Sequence, residues 1–224
     1  MKRVLAEFLL IVSGVTVALG AESWWSGREA RVREQVYIAQ LREDAAQTSR
    51  RLAAAIAQEE MQLGAKTAIR DALLLGHPIP VDSAQAWLVD RRGSMYYSDP
   101  RVLDGTLVAL VESGDLGIVR DNALRLSAVG YLTQLQRDLA EFDRFVGLEM
   151  EEWRIMLGAA ALTLEPGDVG ADEVLLGLQR ATGDDEVRMA FTRAAQANAV
   201  RLTYLRRMLV ANNDFRMVLD NSTR

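Results

Sequence analysis

The chain of 224 residues contains no cysteine, a single histidine and only four prolines. Without cysteine there is no disulfide, no thiolate chemistry and no cysteine-ligated zinc or iron–sulfur site. A single imidazole also excludes histidine-rich zinc sites and the paired Glu-x-x-His motifs of di-iron bundles. We therefore expect no cofactor and no metal, and the sequence contains no recognisable set of catalytic residues.

Neither sign of charge dominates the sequence. Lys and Arg number 26 against 31 Asp and Glu, which makes the formal net charge -5, and the two signs are interleaved along the chain. This balance gives no electrostatic reason to expect nucleic acid as a partner. The scarcity of proline, together with abundant Ala, Leu, Arg, Glu and Gln, predicts an all-α fold.

One long apolar run stands near the N-terminus. Between residues 4 and 21 the only charged side chain is Glu7. Eighteen helical residues rise about 27 Å, close to the hydrocarbon thickness of about 30 Å. Lys2 and Arg3 precede the run, and a tryptophan pair follows it where interfacial aromatic rings are favoured. Residues 1–25 are thus predicted as a transmembrane anchor, with membrane contacts from Phe8, Leu9, Leu10, Ile11, Val12, Gly14, Val15, Val17, Leu19, Trp24 and Trp25.

Two other interpretations compete for this run. A signal peptide cut after Gly20 has the required charged start, apolar centre and small-x-small site, and a buried core helix is the third reading. Glu7 at the start of the apolar centre favours retention, as does the helix-forming sequence after Gly20. We expect a single-pass protein of the bacterial inner membrane, with a cytoplasmic N-terminus and residues 26–224 as a periplasmic or otherwise extracytoplasmic domain.

The rest of the sequence reads as helices separated by Gly, Pro and capping residues. Three long helices and several short ones are expected to pack as an antiparallel bundle. The predicted helices cover residues 28–74, with a stop at Gly76 and Pro78, then 84–91, 105–111, 123 to 157 or beyond, 172–180 and 185 to about 219. Asp121 or Asn122 is expected to cap the fourth of these helices, and Gly183-Asp184-Asp185 the last. In the first helix the apolar or small positions recur every three or four residues, at Leu41, Ala45, Thr48, Leu52, Ala55 and Ile56.

The central predicted helix carries a run of acidic residues, namely Glu141, Asp143, Glu149, Glu151 and Glu152. Arginines are interspersed, so a salt-bridged surface is favoured over the paired carboxylates of a hydrolase. His77 lies in a helix-terminating turn and is expected to interact with the helix dipole.

Four residues are candidate contacts for a partner protein. Trp87, Tyr96 and Tyr97 are expected on the loop side of the bundle, where they form a binding patch if exposed and plug one end of the core if buried. Glu7 can pair with Arg3 at the interface, or it can dock a basic group of a partner span.

Two stretches resemble an uncharacterised bacterial family of single-span membrane proteins. The first is LAEFLLIVSGVTVALGAESWW (5–25) with REQVYIAQLRED (33–44) behind it, and the second is TLVALVESGDLGIVRDNALRLSAVGYL (106–132). The resemblance implies an uncleaved span followed, in the second stretch, by a helix, a Ser-Gly turn and another helix. The family has an aromatic pair where this chain has Tyr131 and Leu132. It supplies no catalytic residues.

These observations predict a non-enzymatic, membrane-anchored accessory or scaffold subunit. Its expected partners are the lipid bilayer and one or more integral membrane proteins, with a respiratory or photosynthetic complex as a candidate host, and self-association stays open. The alternative is an extracytoplasmic sensor or ligand-binding domain that acts through a partner.

Overall fold

The computed structural model describes residues 2–93, 100, 102–160 and 171–222, and the side chains of 13–87, 100, 102–160 and 172–222. Within these residues the fold is entirely helical, which confirms the predicted all-α class. A 3₁₀ turn, Asp115–Ile118, lies between the third and fourth helices. The helices are α1 (Lys2–Leu75), α2 (Val81–Gly93), α3 (Gly105–Glu112), α4 (Asn122–Ala159), α5 (Ala171–Arg180) and α6 (Asp185–Asn221).

Helix α1 runs without interruption for 74 residues and crosses the predicted boundary at residue 25. Its sequence lacks proline and is rich in helix formers, so no residue forces an earlier end. The helix stops where predicted, at Gly76, whose φ is 66°. The His77 amide then donates to the Ala72 carbonyl at 3.0 Å. This is the helix-ending arrangement that glycine in the left-handed region permits.

The other two long helices begin at the aspartates that the sequence marks as caps. The Asp121 side chain accepts hydrogen bonds from the amides of Ala123 and Leu124 at 2.8 and 3.2 Å. The Asp184 side chain does the same for Glu186 and Val187 at 2.9 and 3.3 Å. Each carboxylate satisfies amides of the first turn that have no partner within the helix.

Cross-helix contacts define the direction of each segment. Ala86, Leu103 and Thr106 follow one another along the chain. Their hydrogen-bond partners on α1 are Gln62, Thr48 and Asp44, respectively, which lie progressively closer to the start of α1. The path through α2 and α3 therefore descends along α1. Helix α4 runs in the same direction as α1, because the start of α4 shares a core with the middle of α1. Helix α6 runs in the opposite direction. Neighbouring long helices are thus antiparallel as predicted, whereas α1 and α4 meet across the core and run parallel.

Within the described residues, the bundle contains two separate apolar cores. The proximal core lies where α1 enters the bundle and is formed by α1 from Ile38 to Ala55, the start of α4, the end of α6 and α3. The distal core lies at the far end and combines the end of α1, the end of α4, the start of α6, α2 and α5. Buried polar side chains occupy the level between them, together with Ala195, Ala197 and Leu202 of α6.

The first half of α1 stands apart from the bundle. Among the described side chains of this helix, the first buried one is Ile38. In the part of the chain whose side chains are described, no helix has both the length and the apolar character required to cross a bilayer. The predicted anchor residues Phe8, Leu9, Leu10, Ile11 and Val12 lie outside the described side chains.

Candidate functional site

A layer of buried polar side chains crosses the middle of the bundle between the two cores. All three long helices contribute to it, and none of its five central side chains is more than 2% exposed. We call it the polar layer; it consists of Glu59 and Lys66 of α1, Glu149 of α4, and Asn198 and Arg201 of α6.

Glu149 holds the centre of the polar layer. One of its carboxylate oxygens pairs with Lys66 Nζ, and the other pairs with Arg201 Nη1. Because the three side chains come from three helices, this single carboxylate ties α1, α4 and α6 together at one level. The arginine also lies over the Phe142 ring, with 5.9 Å between Cζ and the ring centroid.

Glu59 completes the layer from the opposite side. Its Oε2 accepts from Arg201 Nη2 at 2.9 Å and from the Asn198 amide nitrogen. The same amide nitrogen reaches the Glu59 backbone carbonyl at 3.2 Å, and Asn198 Oδ1 accepts from Lys66 Nζ at 3.1 Å. The five side chains therefore form one connected network, as burial of charge requires.

The two carboxylates and the two cations of the polar layer cancel in formal charge. Burial alone lowers the pKa of the Arg201 guanidinium, but the fields of Glu149 and Glu59 outweigh it, so that the pKa is raised above its ordinary value. Arg201 is accordingly a permanent cation at the centre of the bundle. Its planar fork suits two carboxylates on different helices better than an ammonium would.

A second polar contact joins the same three helices inside the proximal core. Asn212 of α6 donates through Nδ2 to the Ala45 carbonyl at 2.9 Å and to Ser49 Oγ at 2.7 Å. Its Oδ1 accepts from the Tyr131 hydroxyl at 2.9 Å. Burial, followed by the field of Asp104, raises the pKa of Tyr131. The phenol thus stays protonated and keeps its hydrogen bond.

The loop between α3 and α4 is fixed to α1 at the point where this helix enters the bundle. The Arg120 amide donates to Glu34 at 2.6 Å, and the Tyr37 hydroxyl donates to Asp115 at 3.1 Å. The hydrogen bond to Asp115, followed by its charge, raises the pKa of Tyr37. The contacts join residues 33–44 to residues 106–132.

The predicted contact residues have different environments. Trp87 is 1% exposed; it stacks on Trp153 at a centroid distance of 5.9 Å and contacts Phe191 at 5.5 Å. Of the two alternatives stated for it, burial in the core is the one observed. The predicted anchor residues Gly14, Val15, Val17, Leu19, Trp24 and Trp25 are all exposed. Glu7 lies outside the described side chains, and Tyr96 and Tyr97 lie outside the described residues.

The surface position expected for the acidic run is wrong for Glu149. Glu141 and Glu152 follow the expectation. Glu141 pairs with Arg144 at 3.6 Å, and Glu152 forms a bidentate pair with Arg193 at 2.6 and 2.8 Å. The sequence does contain a signal for the difference. Glu149 comes three residues after Val146 and four before Trp153, both of which are buried, so it occupies a core position of the helical repeat.

Lys66 and Arg201 carry the same signal. Lys66 precedes the buried Ile69 by three residues, and Arg201 precedes the buried Leu205 by four. Charged side chains at core positions of three helices identify a buried network only when they are considered together, because each one alone resembles a solvated residue.

An open surface groove lies between α4 and α6, with a volume of about 430 Å³. Its lining is mixed, with donors, an acceptor and two apolar side chains. The lining residues are Gln134, Thr203, Arg206, Arg207, Val210, Ala211 and Asp214. Beneath it, the buried Asp138 accepts from Gln134 at 2.8 Å and pairs with Arg207 at 3.1 Å.

Comparisons with protein-family models, with curated proteins and with solved structures found no match to this chain.

Proposed function

We propose that this protein is a membrane-anchored accessory or scaffold subunit without enzymatic activity. In this proposal the start of α1 crosses the bilayer, and the bundle is held outside the cytoplasm to bind another membrane protein. The observation that supports it best is the continuity of α1 from Lys2 to Leu75. A helix without a break transmits the orientation of an anchor directly to the domain that follows.

Exposure of the helix start supports the same proposal. Trp24 and Trp25 are 62% and 66% exposed, and Val15 and Val17 extend the apolar surface toward the N-terminus. Large apolar side chains on a bare helix require a cover, and the tryptophan pair has the amphipathic character favoured at the headgroup layer. The proximal core begins at Ile38, about 20 Å beyond Trp25 at about 1.5 Å per residue.

Paired variants of one helix test the anchor. Val15→Glu with Val17→Glu places charges in the proposed span, whereas Val32→Glu with Val36→Glu changes two valines beyond it that are also exposed. We expect wild type and the second variant to remain in the membrane pellet after alkaline extraction, and the first variant to leave it. Extraction of the wild-type protein, or identical behaviour of both variants, would contradict the anchor.

Single-cysteine variants test the orientation, since the chain has no cysteine of its own. Ser222→Cys should react with a membrane-impermeant maleimide in intact cells, and Lys2→Cys should react only after lysis. The opposite pattern reverses the orientation. The intact mass of the purified protein reports directly whether cleavage occurs after Gly20.

Purification in mild detergent tests the scaffold role. The full-length protein is expected to co-purify with at least one integral membrane protein at constant stoichiometry, and in-cell crosslinking should capture the same protein. A protein that is monomeric in every mild detergent, with no crosslinked partner, would contradict the role.

The groove between α4 and α6 favours a second candidate, the ligand-binding domain. Its volume of about 430 Å³ lies in the range of small-molecule sites. A thermal-shift screen of metabolites on wild type and on Val210→Trp, which narrows the groove, tests it. Ligand shifts that disappear in the variant support this function, and a screen without hits rejects it.

A further inference from the structure

We propose that the polar layer divides the bundle into two units that open separately. The distal unit, built around the distal core, opens first, while the proximal unit, built around the proximal core, stays closed. The division follows from where each core ends. The buried side chains at the boundary are polar on α1 (Glu59, Gln62 and Lys66) and on α4 (Glu149). On α6, Asn198 and Arg201 are accompanied by the apolar Ala195, Ala197 and Leu202, which belong to neither core.

A layer of this kind couples the two cores weakly. The buried pairs recover in attraction much of what they lose in desolvation, so their net contribution to stability is small compared with that of apolar packing. Apolar contact is the term that makes a core cooperative, and among the described residues the apolar contacts of the two cores form separate clusters. Local opening can therefore end at this level of the bundle.

The distal unit is the less stable of the two toward local opening. Within the described residues, the indole N–H groups of Trp87 and Trp153 are buried without a hydrogen-bond partner, a cost that the closed state carries. In the distal unit the pair of Glu152 and Arg193 joins α4 with α6, whereas the polar connections of the proximal unit include α1 as well. Asn212 provides one of them, and Arg42, which donates to the Leu219 carbonyl at 2.6 Å, provides another.

The four tryptophans give a direct readout of this difference. Trp87 and Trp153 lie in the distal core, Trp24 and Trp25 lie on the free part of α1, and the proximal core contains none. Urea unfolding of the full-length protein in mild detergent should therefore show a fluorescence transition at lower urea than the far-ultraviolet circular dichroism transition. Coincident transitions would overturn the proposal.

Hydrogen exchange with matched variants locates the boundary. Leu178→Asp puts a charge into the distal core, and Leu176→Asp puts the same charge at an exposed site of the same helix. In Leu178→Asp, peptides from the distal core should exchange like an unstructured chain, while proximal peptides stay protected at least about a hundredfold. Leu176→Asp should match wild type. Equal loss of protection in both units of Leu178→Asp would show one cooperative core and overturn the proposal.

The layer itself is tested by the charge-balanced double variant Lys66→Met with Glu149→Met, which brings apolar side chains into the boundary and leaves Arg201 paired with Glu59. The difference in protection between distal and proximal peptides should narrow at least about tenfold relative to wild type. If the difference is unchanged, the layer is not what separates the units, and that part of the proposal is wrong.

Discussion

Glu59 and Glu60 are neighbours in α1, and both pair with arginines of α6, yet they belong to different regions of the molecule. Glu59 contacts Arg201 at 2.9 Å with both side chains 2% exposed, whereas Glu60 contacts Arg206 at 2.7 Å with both side chains about half exposed. The distances are nearly equal, so geometry does not separate the two pairs. Burial does, because removal of one buried partner leaves a charge that water cannot reach.

The largest expected effect comes from removing one charge of the polar layer. Glu149→Gln leaves Lys66 and Arg201 with only Glu59 to balance them. We expect a loss of about 3–5 kcal/mol in the free energy of unfolding, measured from urea unfolding at constant detergent. A loss below about 1 kcal/mol would mean that the layer behaves like a surface pair.

The double variant Lys66→Met with Glu149→Gln sharpens the comparison. Charge in the layer is again balanced, because Arg201 still pairs with Glu59. It should be more stable than the single Glu149→Gln variant, within about 2 kcal/mol of wild type, with a coupling energy of about 3 kcal/mol. Additive losses in the complete mutant cycle would contradict the network.

Tyr131→Phe tests the polar contact inside the proximal core. The change removes the hydroxyl that donates to Asn212 and leaves Asn212 Oδ1 buried without this donor. The expected cost is about 1–3 kcal/mol, read from the same unfolding measurement. Phe215→Tyr tests the reverse case, because it adds a buried hydroxyl at a position that has no hydrogen-bond partner prepared for it.

Alkaline pH should affect wild type and Tyr131→Phe differently. Because the pKa of Tyr131 is raised in the folded state, the unfolded chain loses this proton first, and stability falls as pH rises above the ordinary tyrosine value of about 10. Below that value the contribution is fully present. Thermal midpoints between pH 8 and 11 should therefore decline less steeply in Tyr131→Phe, and parallel profiles would contradict the assignment.

The smallest expected effect is at the exposed pair. Glu60→Gln should change the free energy of unfolding by less than about 1 kcal/mol, and added salt should reduce the difference further, since the pair is screened. A cost comparable to that of Glu149→Gln would remove the distinction between the two regions.

Local features of the fold were predictable because they depend on short stretches of sequence. The stop of α1 at Gly76 and the caps Asp121 and Asp184 each require only a few neighbouring residues. The apolar stripe of α1 was predictable for the same reason, and Leu41, Ala45 and Leu52 are buried as the periodicity indicates.

The polar layer was not predicted, because its residues look like surface residues when each helix is read alone. Glu149, Glu151 and Glu152 form one acidic run in the sequence, although at about 100° per residue Glu151 lies about 160° from Glu149 around the helix and Glu152 only about 60° from it. The sequence did not decide whether Trp87 is buried or exposed, because no local pattern indicates which helices pack on α2.

The sequence by itself determined the helical class, the positions of the breaks and the apolar run near the N-terminus, since propensity, capping and hydropathy act within a few residues of one another. Only the tertiary structure decided which acids are buried, that α1 and α4 run parallel, and that charge separates two apolar cores. Those properties depend on partners far along the chain, such as Arg201, which lies 52 residues from Glu149 and 142 residues from Glu59, and on the burial that the partners create together.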